Sequence, residues 1–199
     1  YAWLDPPAME EIEEFLTGAR HAPESERILA TVMFSDIVDS TRLAAEMGDR
    51  GWRGVLESIE SGVADVLLRH RGRAIKSMGD GFLATFDGPA RGIRCAVEIR
   101  ELAREHYGLE VRSGLHTGEI ELIGSDVGGI AVHIGARVGA RATAGEVLVS
   151  GTVKDLVVGS GISFEPRGEH ELKGVPGRWG LWAVAEAGAV HARRNRRAV

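Results

Sequence analysis

The chain has 199 residues, a length that suits one domain or one domain with appendages, and 44% of them are hydrophobic, enough for a packed core. A formal net charge of −5 argues against a general nucleic-acid surface, and a single cysteine, Cys95, excludes an internal disulfide and suits a reducing, cytoplasmic setting. No run approaches the ~18 apolar residues of a membrane span, and no signal-peptide pattern opens the chain.

The sequence starts at Tyr1 and enters mid-pattern, which reads as a segment of a longer protein with an upstream domain or regulator. Pro7 to Gly18 predicts a short acidic amphipathic helix with Met9, Ile12, Phe15 and Leu16 on one side; a polar linker follows, so that residues 1–26 precede the domain. The stretch Leu29-Ala-Thr-Val-Met-Phe-Ser-Asp-Ile-Val-Asp-Ser-Thr41 begins as a buried β-branched strand and ends in two carboxylates and two hydroxyls. A helix opening at Ser40 or Thr41 would turn the backbone N–H groups of Val38 to Thr41 outward, an anion site suited to phosphate. An acidic residue beside such a cradle calls for a cation between them, and so for a Mg²⁺-nucleotide.

Helical patterns follow from about Ser40 to Gly48 and from Trp52 to His70, with Gly72 as the stop. Arg73 to Phe86 reads as two short strands joined by Gly79-Asp80-Gly81, a tight hairpin with a carboxylate at its tip. Two apolar strands that each deliver one Asp to an end have the layout of a two-metal carboxylate site. The next helix, from about Pro89 to His106, places Cys95 among Ile93, Ala96, Val97 and Ile99, as a packing residue rather than a reactive thiol.

Leu109 to Ile123 alternates as a long strand, with a bulge or bend expected at His116-Thr-Gly118. A helix from Ile130 to Ala142, a strand from Glu146 to Ser150, a small helix from Thr152 to Val158 and strands Ile162 to Leu172 and Arg178 to Ala185 complete the pattern. The expected fold is α+β: a ferredoxin-like βααββαβ core with an additional C-terminal αββ, in a mixed sheet with helices on one face. Residues 187–199 carry four arginines within five positions and read as a disordered, solvated tail.

Four ordered motifs resemble the class III nucleotidyl cyclase catalytic domain in its bacterial form. They are Phe34-Ser-Asp-Ile-Val-Asp-Ser-Thr41, Lys76-Ser-Met-Gly-Asp-Gly-Phe82, Asp126 through Arg137, and Glu171-Leu-Lys-Gly174, within a domain spanning 27–186. The resemblance implies cyclisation of a nucleoside triphosphate, the ribose 3′-oxygen attacking the α-phosphorus in line while pyrophosphate leaves. It implies two divalent cations, Mg²⁺ or Mn²⁺, held by Asp36, Asp80 and the Ile37 carbonyl, with Ser40, Thr41 and Lys173 on the phosphates. Lys76 and Asp126 occupy the base-selecting places: lysine donates to adenine N1 and aspartate accepts from the exocyclic amine, which reads ATP. Arg137 matches the residue that neutralises the pentavalent phosphorus. His133 stands where the family commonly has a ribose-orienting Asn, as in one bacterial subgroup. In the family each site is shared, so a chain carrying both halves implies a head-to-tail homodimer with two equivalent sites.

The leading expectation is therefore an adenylate cyclase that makes cyclic AMP. The rivals are a nucleotide-binding regulatory module of the same fold with little turnover, suggested by His133, and a guanylate cyclase, opposed by Lys76 and Asp126.

Overall fold

The computed structural model describes residues 26–187; the expected N-terminal helix and the arginine-rich tail lie outside them. The elements in order are β1 (Arg27–Ile37), α1 (Ser40–Arg69), β2 (Arg73–Ser77), β3 (Gly81–Phe86), α2 (Pro89–Tyr107), β4 (Val111–Ile123), β5 (Asp126–Gly128), α3 (Ile130–Gly139), β6 (Val147–Ser150), α4 (Gly151–Leu156), β7 (Ser163–Glu171) and β8 (Arg178–Glu186). Gly48, at φ 72° and ψ 160°, kinks α1 at the point where the sequence separates two helical patterns. Among the described residues no helix is long and apolar enough to cross a membrane.

The strands form one mixed sheet in the order β2-β3-β1-β4-β6-β8-β7, with β5 folded back on β4. Its β2-β3-β1-β4 half is antiparallel and is the ferredoxin-like core; β4 and β6 run parallel, joined by a crossover through α3. The C-terminal αββ is α4-β7-β8, and β5, α3 and β6 are interposed between it and the core.

Period-2 alternation sends the two faces of β1 into different cores. Met33 and Ile37 pack with Ile59, Ile93, Ile99 and Leu115 under α1 and α2, while Val32 packs with Leu83, Ile120 and Ala131 on the other side. Full burial of side chains such as Met33, Ile93 and Leu115 contributes roughly 1.5–3 kcal/mol each. The expectation of helices on one face is thus corrected: α3 lies opposite α1 and α2. What permits this is a stripe of small residues. Added Cβ atoms would put Gly135 2.6 Å from Val32 and Gly114 2.0 Å from the backbone nitrogen of Gly139, so α3 rests with its backbone against β4.

Two smaller expectations also change. The β1–β4 ladder runs unbroken through Val32↔His116, Thr31↔Thr117 and Ala30↔Gly118, so β4 has no bulge there; Gly118 gives room to Ala131 of α3 instead. At the end of α1 the left-handed residue is Arg71, at φ 55°, and Gly72 is required because a Cβ would lie 2.5 Å from the Phe86 ring.

The helix-on-sheet contact predicts opposite signs for two Gly→Ala changes. Gly114→Ala forces backbone apart and should cost at least about 3 kcal/mol or abolish folding. Gly54→Ala, in an open position on α1 with nothing within 4 Å of the new Cβ, should stabilise by about 0.5–1 kcal/mol through helix propensity. Urea unfolding midpoints check both.

Candidate active site

Asp36 lies one residue from the end of β1 and is flanked by ladders on both sides, facing Gly81 of β3 and Arg112 of β4. The hairpin tip is tied to it, because the Ile37 N–H donates to the Asp80 carbonyl at 3.2 Å. The turn itself is Met78-Gly79-Asp80, with Gly79 at φ 81°, and Gly81 already belongs to β3. A Cβ on Gly81 would sit 3.3 Å from Asp36 Oδ1 and 2.8 Å from the Ser35 carbonyl, so glycine keeps the space beside that oxygen open. Asp36 and Asp80 line one groove, together with Lys76 and the apolar side chains Ile59, Val63 and Phe82.

Hard carboxylate oxygens beside an open space suit Mg²⁺ or Mn²⁺. No three His, Cys, Asp or Glu side chains gather as a metal-binding group among the described residues. The remaining ligands would then be carbonyl, water and phosphate oxygens, the usual pattern for Mg²⁺ bound with a nucleotide.

A second groove at the start of α1 is lined by Asp36 to Arg42, Ala45 and Arg112. The expected anion cradle is narrower than the sequence suggests. The Val38 N–H is taken by the Glu110 carbonyl at 2.8 Å, whereas the N–H groups of Asp39, Ser40, Thr41 and Arg42 have no backbone partner outside the helix among the described residues. Asp39 reaches this corner only by adopting φ 57° and ψ 26°, a left-handed conformation, and makes no side-chain cap.

Lys76 and Asp126 come together on the opposite face from α1 and α2. A β-bulge at Ile75 shifts the β2–β3 register from Ala74↔Ala84 to Lys76↔Leu83, so Lys76 shares the face of Leu83 rather than that of Ala84. There its Nζ lies 3.5 Å from Asp126 Oδ2, both side chains being about half exposed. The Val127 N–H, donating to Oδ1 at 2.8 Å, and then the Lys76 charge hold the Asp126 carboxyl below its ordinary pKa. Asp126 itself is placed by a short hairpin in which Gly124, at φ 61°, turns β4 into β5.

His133 and Arg137 are one turn apart on the exposed side of α3. Arg137 Nε donates to the Lys173 carbonyl at 3.2 Å, which joins the helix to the loop between β7 and β8. Three groups result: Asp36 with Asp80, Ser40 and Thr41; Lys76 with Asp126; and His133 and Arg137 with Lys173. Among the described residues, no side-chain hydrogen bond or ion pair joins one group to another.

Sequence reasoning missed the partner of one residue here and the burial of another, His116, that lies outside both grooves. Arg112 pairs with Asp36, Nη2 at 2.7 Å and Nε at 3.3 Å from Oδ2. It sits on the polar side of an alternating strand, and only the ladder register identifies its partner. His116 is 4% exposed, with Nδ1 2.8 Å from Ser150 Oγ and its ring edge-on to Trp179. Burial lowers its pKa to about 4.

Comparison with known proteins gives a consistent family. A model of the adenylate and guanylate cyclase catalytic domain matches residues 24–186. A Rhizobium meliloti (strain 1021) protein provisionally named adenylate cyclase 3 is 28% identical over 165 residues, 78% of this chain and 28% of that protein. The solved guanylyl cyclase Cya2 is 26% identical, with a TM-score of 0.76 over 84% of this chain and 97% of its own. The adenylyl cyclase CyaB of P. aeruginosa, 23% identical with a TM-score of 0.72 over 82% of this chain and 96% of its own, shares the fold. The matched region spans 28% to 52% of the length of the curated relatives.

His116 sets a pH dependence of stability. The unfolded chain takes up its proton below about pH 6.5, whereas the folded chain resists down to about pH 4. Its contribution is therefore intact above pH 6.5 and is lost as pH falls toward 4, by roughly 3 kcal/mol at the end of that window. The free energy of urea unfolding, measured between pH 7.5 and 4.5, should fall more steeply for the wild type than for His116→Asn. Equal slopes would remove His116 as the cause.

Proposed function

The chain belongs to the adenylate and guanylate cyclase catalytic domain family, and on that premise we propose that it is an adenylate cyclase acting as a head-to-tail homodimer. The observation that carries the ATP reading is the Lys76–Asp126 pair, 3.5 Å apart on one face of the sheet. A donor and an acceptor at that spacing match adenine N1 and its exocyclic amine, and mismatch guanine, which presents N1–H and O6 there. Because both groups are half exposed, their mutual attraction is screened and a base can take its place.

Two divalent cations bound by Asp36, Asp80 and the Ile37 carbonyl would lower the pKa of the ribose 3′-hydroxyl and hold the leaving pyrophosphate. Ser40 and Thr41 present N–H groups to the β- and γ-phosphates at the start of α1. Lys173 reaches the same triphosphate from the β7–β8 loop. His133 orients the ribose, and Arg137 offsets the negative charge that grows on the α-phosphorus as the 3′-oxygen bonds to it and the bond to pyrophosphate breaks. Support for a shared site comes from the arginine group: one chain carries every group, and Lys76 lines the groove of Asp36 and Asp80, yet His133, Arg137 and Lys173 line neither that groove nor the one at the start of α1.

Cyclic AMP formation from Mn²⁺-ATP, rising more than in proportion to protein concentration, is the expected result. In a Lys76→Glu, Asp126→Ala double variant the ATP-to-GTP ratio of kcat/KM should fall by at least about tenfold. A wild type that prefers GTP would favour the guanylate cyclase reading, in keeping with the likeness to Cya2, and no turnover at all would favour a nucleotide-binding module.

Mixing two inactive variants tests the shared site. Asp36→Ala and Arg137→Ala should each be nearly inactive. Under random exchange about half the dimers of a one-to-one mixture are heterodimers, each with one intact site, so roughly a quarter of wild-type activity should return. Exchange without recovery would place each site within one chain.

A further inference from the structure

Asp36 is held asymmetrically. Both donating groups of Arg112, Nη2 at 2.7 Å and Nε at 3.3 Å, converge on Oδ2. Oδ1 accepts no hydrogen bond from the described residues and faces the β3 side, where Gly81 lacks a side chain. Arg112 makes no other side-chain hydrogen bond or ion pair among the described residues, and the ladder puts it directly across from Asp36. The other cation lining the same groove, Arg42, is engaged with Glu46 and Asp39 instead.

A guanidinium stays protonated at all working pH values, so an oxygen held by Arg112 is closed to a dication unless the pair parts. One oxygen of a carboxylate expected to hold the cations is thus open, and the other is occupied. We propose that Arg112 gates cation loading: by holding Oδ2 and leaving Oδ1 open it would let Asp36 and Asp80 hold one divalent cation while the pair is intact, and a second only once Arg112 has released Oδ2. Arg112 is then a positioning residue acting through Asp36. The inference rests on the reading of Asp36 and Asp80 as cation ligands, and it adds an order of loading that the ligand set alone does not contain.

The test is Mn²⁺ titration of the nucleotide-free 199-residue chain, followed by electron paramagnetic resonance, with Mn²⁺ alone as the probe. The wild type should take up one magnetically isolated Mn²⁺ per chain. Arg112→Met and Arg112→Gln, each confirmed as folded by its melting curve, should take up two with an exchange-coupled signal. Their second ion should bind at least about tenfold more tightly than in the wild type. Arg42→Gln removes a positive charge from the same groove without touching Asp36, and should remain at one ion. A coupled pair in the wild type, a single ion in both Arg112 variants, or the same gain in Arg42→Gln would each overturn the gate. A wild type that binds no more Mn²⁺ than Asp36→Asn would instead remove the cation-ligand reading, and the gate with it.

Discussion

The arrangement depends on a backbone-to-backbone contact, that of Gly139 on α3 with Gly114 on β4. With no side chain on either residue the helix settles directly onto the sheet, and Ala131 and Gly135 continue the contact over Gly118, Val32 and Phe34. Small residues at i, i+4 and i+8 form one stripe, Ile134 and Val138 beside it pack toward Leu148 of β6 and Leu181 of β8, and the remaining side of the helix is exposed. His133 and Arg137 lie on that outer surface, and their height above the sheet is set by backbone packing rather than by adjustable side chains. For the role proposed for Arg137, such a rigid footing would hold the guanidinium at a fixed position.

Across the sheet, β1 plays the corresponding part for the carboxylates. As the middle strand of the ferredoxin-like half it has a neighbour on each side, and at Asp36 those neighbours differ: Gly81 offers space, and Arg112 offers charge. The two oxygens of one side chain therefore meet different surroundings because the strand has two edges. The Ile37 N–H bond to Asp80 then brings the hairpin tip to the same end of the sheet. Paired hydroxyls, Thr31 with Thr117 and Ser35 with Ser113, each 2.8 Å apart, satisfy the polar groups buried between β1 and β4.

Much of this was legible in the sequence because it is local. The β-branched run before Asp36, the Asp-Gly turn, the helical spacing of Val55, Ile59, Val63 and Val66, and the Asp126 to Arg137 spacing each carry their own signal, and the elements lie where those signals put them. What was not legible depends on partners distant in sequence. The Ile75 bulge shows only against β3, because β2 alone reads as an ordinary short strand. Arg112 is one of many strand arginines until register places it opposite Asp36. His116-Thr-Gly118 suggested a bend because a glycine interrupts the pattern, but the glycine is there to admit Ala131 from a helix whose side of the sheet the sequence does not state. The blocked Val38 N–H likewise depends on Glu110, 72 positions away.

Exposure connects the fold to the proposed chemistry. Lys76, Asp126, His133, Arg137 and Lys173 are all exposed in the single chain, and the pairs they make are open to water. In water an arginine at a few ångströms does little for a developing phosphoryl charge, whereas in a site from which water is excluded the same arginine is worth several times more. Side chains on a solvated face acquire that environment only when something covers them. A triphosphate drawn onto one chain by its cation-binding groups, with a second chain closing over it, would remove the water from both sets of charges in one step. Assembly would then supply the low dielectric that the folded chain lacks, and activity would follow dimer formation without any change in the fold of either subunit.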